Sequence, residues 1–164
     1  MLTITARLSG DGPFDDRLIL PFEQRQKSRM RVRLESGVEA ALTMDRGAVL
    51  RGGDRLLAAD GRIVLVVAAK EPVVFVTAPD PGTLVRAAYH LGNRHIPLQV
   101  GTGWLVLEQD HVLEHMLEGL GATIRHDAAP FEPESGAYGG GLHHDDDHGH
   151  RHDHAHSHLH TRHD

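Results

Sequence analysis

The chain has 164 residues, enough for one ordinary domain or two small ones, and no cysteine, which excludes disulfides and thiolate metal sites. Its formal net charge is −6. Setting aside the two arginines and five aspartates of residues 143–164 leaves fifteen Lys and Arg against eighteen Asp and Glu, too nearly neutral for a nucleic-acid-binding surface.

The first seventy residues read as β structure throughout. Leu2–Leu8 alternates, with Leu2, Ile4, Ala6 and Leu8 on one face and Thr3, Thr5 and Arg7 on the other. Arg17–Phe22 is short and apolar, and Arg29–Leu34 sets Met30, Val32 and Leu34 against three arginines that solvate an open face. Gly- and Asp-rich turns punctuate these runs, and Asp60–Gly61 between Leu56–Ala58 and Ile63–Ala68 predicts a hairpin. Short strands with frequent turns predict an all-β domain of sandwich or barrel-like form over residues 1–71.

From Pro72 the pattern changes. Val73–Thr77 is a β-branched run fit for a buried strand, followed by Asp80 as N-cap and Pro81 at the first helical position. Leu84, Ala87, Ala88 and Leu91 form the stripe of an amphipathic helix, with Gly92–Asn93 as its stop. Ile96–Val100 and Trp104–Leu107 read as strands, with Trp104 as packing. Asp110 caps a second helix carrying Leu113, Met116, Leu117 and Leu120, and Thr123–Arg125 is a last short strand. The order β-α-β-β-α-β predicts a ferredoxin-like α+β domain over residues 72–130. Residues 131–164 are expected to form a linker, outside either core, and a disordered tail.

That tail holds His143, His144, His148, His150, His152, His154, His156, His158, His160 and His163, interleaved with Asp, Ser, Ala and Arg, unlike the uniform run of a purification tag. Imidazoles and carboxylates without thiolates suit Ni²⁺, Zn²⁺ and Cu²⁺. Capture requires neutral imidazole, whose ordinary pKa is ~6.5, so binding weakens in acid. The segment is a metal-capturing device. No stretch approaches the ~18 apolar residues of a membrane span, and Met1–Gly10 lacks a signal sequence's apolar run, so a soluble cytoplasmic protein is expected.

Outside the tail stand His90, His95, His111, His115 and His126. His95 follows a helix C-terminus in a short turn, with Pro97 restricting Ile96, so its ring should project from the surface. One imidazole is no metal site, but two copies meeting across a two-fold axis supply two ligands. His111-Val112-Leu113-Glu114-His115 formally matches the H-x-x-E-H zinc-peptidase pattern. About a dozen folded residues follow it, too few to supply a third ligand and a substrate cleft, so coincidence is the better reading.

The segment Tyr89-His90-Leu91-Gly92-Asn93-Arg94-His95-Ile96-Pro97-Leu98-Gln99 resembles the signature of the UreE family of urease accessory proteins. So do Asp110-His111-Val112-Leu113 with Met116-Leu117, and Pro130–Glu134 with Gly136-Ala137-Tyr138. The resemblance implies a homodimeric, non-enzymatic cytoplasmic nickel chaperone that delivers Ni²⁺ to apo-urease together with other accessory proteins, including a GTPase. It implies a metal ligand at His95 in the dimer interface, tail histidines completing that site, and a ligand role for His90. It further implies a surface histidine pair at positions 109 and 111, where this chain has Gln109 and His111. The N-terminal domain is implied to be a peptide-binding, chaperone-type module. Metal storage or detoxification, for which the tail alone would suffice, is the alternative.

Overall fold

The computed structural model describes residues 1–136. The tail histidines, His143 to His163, lie outside the described residues. The N-terminal part comprises β1 (Leu2–Leu8), β2 (Asp16–Leu20), α1 (Phe22–Arg25), β3 (Arg29–Arg33), β4 (Glu39–Thr43), β5 (Arg55–Ala58) and β6 (Ile63–Ala68). Its strands form one six-stranded sheet in the order β2-β6-β5-β1-β4-β3. The β1–β4 and β2–β6 pairs are parallel and the rest antiparallel. Asp60–Gly61 makes the expected hairpin between β5 and β6, with Gly61 at a φ of 91° that favours glycine. The exception to continuous β structure is α1: Pro21 ends β2, and one helical turn begins at Phe22.

Of the two all-β forms expected, the sheet takes the barrel-like one. Inward residues of both terminal strands, Leu18 and Leu20 of β2 and Val32 of β3, share one buried core with Ile4, Leu42 and Leu56. The sheet therefore curls until its ends nearly meet. At the seam, the Glu35 N–H donates to the Arg17 carbonyl at 2.9 Å. Asp16, only 9% exposed, accepts from the Arg17 N–H at 2.8 Å, the Ser36 N–H at 3.2 Å and the Ser36 hydroxyl. Burial pushes the Asp16 pKa up, but the Ser36 hydroxyl, the two N–H groups and the charge of Arg62 outweigh it, and the carboxyl sits below the usual range. A depressed folded-state pKa adds stability above the unfolded value of ~3.9 and loses it as pH falls through the folded value. Asp16→Asn should therefore lower stability at neutral pH and flatten the acid limb of a stability–pH curve. An unchanged acid limb would remove Asp16 from that role.

The C-terminal part comprises β7 (Lys70–Thr77), α2 (Pro81–Asn93), β8 (Gln99–Gly101), β9 (Trp104–Glu108), α3 (His111–Gly119) and β10 (Thr123–Pro130). Its sheet, β10-β7-β9-β8, is antiparallel throughout, so β9 splits the β7-α2-β8 unit as the sequence order predicts. The Asp80 carboxylate caps α2 through the Thr83 N–H at 2.9 Å and the Thr83 hydroxyl at 2.7 Å. Asp110 caps α3 through the N–H groups of Val112 and Leu113. Ala87 and Leu91 of α2, and Leu113 and Leu117 of α3, pack on Val74, Val76, Leu105 and Leu107. No helix among the described residues is long and apolar enough to cross a membrane.

Three boundaries depart from the sequence reading. β7 starts at Lys70, with Ala69 alone between it and β6; β8 is confined to Gln99–Gly101; and β10 runs to Pro130 in register with β7. Long-range pairing, invisible to local patterning, sets these ends. Gly101 faces Trp104 across the β8–β9 turn, and a Cβ at Gly101 would fall 2.0 Å from the indole. Trp104 packs against Phe75, their ring centroids 6.1 Å apart.

The stretch after β10 is not outside the cores. Phe131 is fully buried and meets Phe22 edge-on, centroids 5.4 Å apart, in a cluster with Val73 and Val106. The Arg25 side chain, also fully buried, joins this strap to the barrel. Its guanidinium donates to the carbonyls of Leu20 at 3.2 Å, Leu50 at 3.1 Å and Phe131, and to the Glu132 carboxylate at 2.7 Å. Glu132 also accepts from the Gly52 N–H at 3.0 Å, and the Glu134 N–H donates to the Leu98 carbonyl at 2.8 Å. Burial lowers the Arg25 pKa, and the carboxylates of Glu132 and Glu71 oppose it. Phe131–Glu134 thus bridges the two sheets, where a linker outside either core was expected.

Candidate metal site

The end of α2 builds the site around His95. Leu91 is fully buried and anchors the last turn. The His95 N–H donates to the Gly92 carbonyl at 2.9 Å and the Ile96 N–H to the Leu91 carbonyl at 3.2 Å. That pair of bonds is a Schellman closure, which places its C′ residue in the left-handed region, normally as glycine. Here the C′ residue is His95, with φ of 56°, among the described residues the one non-glycine with positive φ. The helix therefore runs through Gly92–Asn93 and is stopped at His95. The α3 terminus closes in the same way with a glycine: Gly121 has φ of 91° and the Ala122 N–H donates to the Leu117 carbonyl.

A left-handed turn lifts the His95 side chain off the helix path, and the residue is exposed, as expected. A histidine in a position made for glycine is local strain, which concentrates at functional sites. Along α2, outside the core stripe, Val85 and Tyr89 lie one turn apart and are 67% and 64% exposed. The sequence reading passed over this second apolar stripe, although its i, i+4 spacing was visible. The helix that ends in His95 therefore carries an uncovered apolar face.

The remaining histidines are dispersed. His90, in the last turn of α2, is half-buried, with its ring edge-on to Tyr89 at 5.4 Å between centroids. His111 and His115 are exposed on α3, one turn apart. Gln109 is exposed, its side-chain amide donating to the Val73 carbonyl at 3.3 Å. His126 bonds Glu114 through Nε2 at 2.8 Å, and Glu114 also accepts from the Asp110 N–H at 3.2 Å. The carboxylate that a peptidase reading would make the general base is thus occupied in closing α3 onto β10. Among the described residues no three His, Asp or Glu side chains gather into a metal-holding group. His95 stands as a single exposed imidazole at the end of α2.

Comparison with known proteins agrees with this architecture. Residues 4–69 match the family described as UreE urease accessory protein, N-terminal domain, and residues 71–160 match its C-terminal domain. The urease accessory protein UreE of Nitrosospira multiformis is 49% identical over 144 residues, covering 88% of this chain and 82% of that protein. That of Janthinobacterium sp. is 52% identical over 139 residues, covering 85% and 82%. That of Cupriavidus necator is 56% identical over 131 residues, covering 80% and 68%. Matches to both domain families and to full-length relatives at this identity make the chain a member of the UreE family of urease accessory proteins.

Proposed function

We propose that this protein is a cytoplasmic nickel chaperone, not an enzyme, that takes part in urease maturation by carrying Ni²⁺ to the apoprotein with other accessory proteins, a GTPase among them. The observation that carries the reading is His95 in a left-handed, outward-facing position at the end of a helix whose outer face is apolar. A two-fold contact through Val85 and Tyr89 would cover that face and bring two His95 rings to one ion. His90, one turn back, is a candidate supporting ligand. His111 has lost its partner, since Gln109 is an amide bonded to β7.

The division of labour follows. Residues 1–71 dock protein partners, residues 72–130 with the strap through Glu134 hold the ion, and the histidine-rich remainder collects it. Glu134 is tied to Leu98, three residues from His95 along the chain, and His143 follows nine residues later, a reach of about 30 Å at most. Tail histidines are the ligands that would complete the shared site. The metal is cargo: imidazole without thiolate holds Ni²⁺, Zn²⁺ or Cu²⁺ and still lets it go.

Native mass spectrometry of the full chain with limiting Ni²⁺ tests this. The expected first species is a dimer with one ion. His95→Ala should keep the dimer and lose that ion, whereas removal of residues 135–164 should lower the total bound and keep it. Equal tight binding by His95→Ala would reject the assignment. Failure of the tail-deleted chain to support urease activation in cells, with its tight site intact, would favour storage.

A further inference from the structure

We propose that the free edge of β3 is a docking strand for an extended acidic segment of a partner protein. The inference rests on the reading of the N-terminal domain as the partner-docking module and names the surface and the chemistry that the partner must present. β3 lies at the end of the sheet order and its ladder is with β4 alone; β2 meets it at the seam only beyond its end, at Glu35 and Ser36, so along Arg29–Arg33 the outer side of the main chain has no strand partner among the described residues.

The outward side chains of that strand are Arg29, Arg31 and Arg33, all exposed. Across the ladder Arg29 faces Thr43 and Arg31 faces Ala41, neither of which answers a guanidinium. Only Arg33 has a carboxylate, Glu39 at 2.9 Å, and that pair is 69% exposed on both sides and weak. Among the described residues neither Arg29 nor Arg31 has an ion pair. A cleft of about 280 Å³ is lined by Met1, by Arg31, Val32 and Arg33 of β3, and by Glu39 and Ala40 of β4.

Charged edges are a common guard against strand-to-strand aggregation, and here the guard also selects. Two copies meeting at β3 would bring six arginines together, so self-pairing is disfavoured. A strand with carboxylates at alternate positions would place one opposite each arginine, because side chains on one face recur every second residue. Main-chain bonds would supply affinity and the guanidinium row would supply register and choice.

The test uses the full-length protein and fluorescein-labelled peptides alternating Glu with Val, the same composition with its glutamates contiguous, and a Lys–Val counterpart. The alternating acidic peptide should bind most tightly, and amide hydrogen exchange should slow at residues 29–33. The Arg29→Glu, Arg31→Glu double variant should weaken it about tenfold or more. Both side chains are exposed and unpaired, so the variant should keep its circular dichroism and its nickel binding. Equal binding by that variant, or protection only away from β3, would place docking elsewhere: the edge inference falls and the module reading stands. No binding of any peptide at millimolar concentration overturns both.

Discussion

Arg25→Ala is expected to cost about 3–5 kcal/mol, the range found when one member of a buried ion pair is removed. For a protein of this size that corresponds to a fall in Tm of about 6–20 °C. The side chain is fully buried and satisfies three carbonyls and a carboxylate drawn from three separate stretches of chain: Leu20 at the end of β2, Leu50 before β5, and Phe131–Glu132 after β10. Alanine leaves the Leu50 and Phe131 carbonyls without their donor, while Leu20 keeps the Ala69 N–H and Glu132 the Gly52 N–H, and desolvation of the orphaned acceptors is the larger part of the loss. Each sheet keeps its own apolar core, so the damage should fall on the coupling between them. Calorimetry should show one transition in the parent and a broadened or split one in the variant. A second variant, Glu132→Ala, and the double replacement close a cycle: the double should cost clearly less than the sum of the singles, because the same contact is removed twice. Additive losses would mean that Arg25 acts only through its carbonyl bonds. A loss under about 1 kcal/mol would mean that water replaces the guanidinium.

His95→Gly should separate folding from function in the opposite sense. Left-handed backbone costs an L-residue about 1–2 kcal/mol, less for histidine than for branched side chains, and glycine removes that cost. With the Schellman bonds retained, the variant should be more stable by about 1 kcal/mol, seen as a Tm higher by about 2–4 °C. Under the proposed role it should also lose the tight Ni²⁺ site, measured by equilibrium dialysis. Stability gained while binding is lost is what a residue kept for chemistry in a glycine position predicts. His95→Ala should lose the site too, without the gain. A less stable His95→Gly would show that the imidazole itself props the turn, and an intact tight site would remove His95 from the metal altogether.

Both residues show what local sequence can and cannot carry. Where a signal is short-range, it reads through: Asp80–Pro81 caps α2, Asp60–Gly61 turns β5 into β6, and the spacing of Leu84, Ala87, Ala88 and Leu91 finds the core side of its helix. Arg25 sits in Glu23-Gln24-Arg25-Gln26-Lys27, a stretch that looks like solvated surface, and its carboxylate partner lies 107 residues away. Pro130-Phe131-Glu132-Pro133 has the composition of a stiff linker, and only the cavity formed by Phe22, Val73 and Val106 makes Phe131 a core residue. The projecting imidazole at position 95 follows from chain order. Its handedness does not, because Gly92–Asn93 is the stronger local stop and is overridden by the seating of Leu91 and Ile96 in the second core. The uncovered Val85 and Tyr89 were legible as a second stripe, overlooked because one apolar side already accounted for the helix.

The strap also limits how this protein can be cut and recombined. A tailless version ended at Pro130, where the last strand stops, would discard Phe131 and Glu132 and leave Arg25 facing an empty slot; the safe cut falls after Glu134. In a chimaera joining the front half of one relative to the back half of another, the latch would arrive with one parent and its keeper with the other. The two halves must therefore be matched at Arg25 and at Phe131–Glu132 as well as where the chain crosses between them.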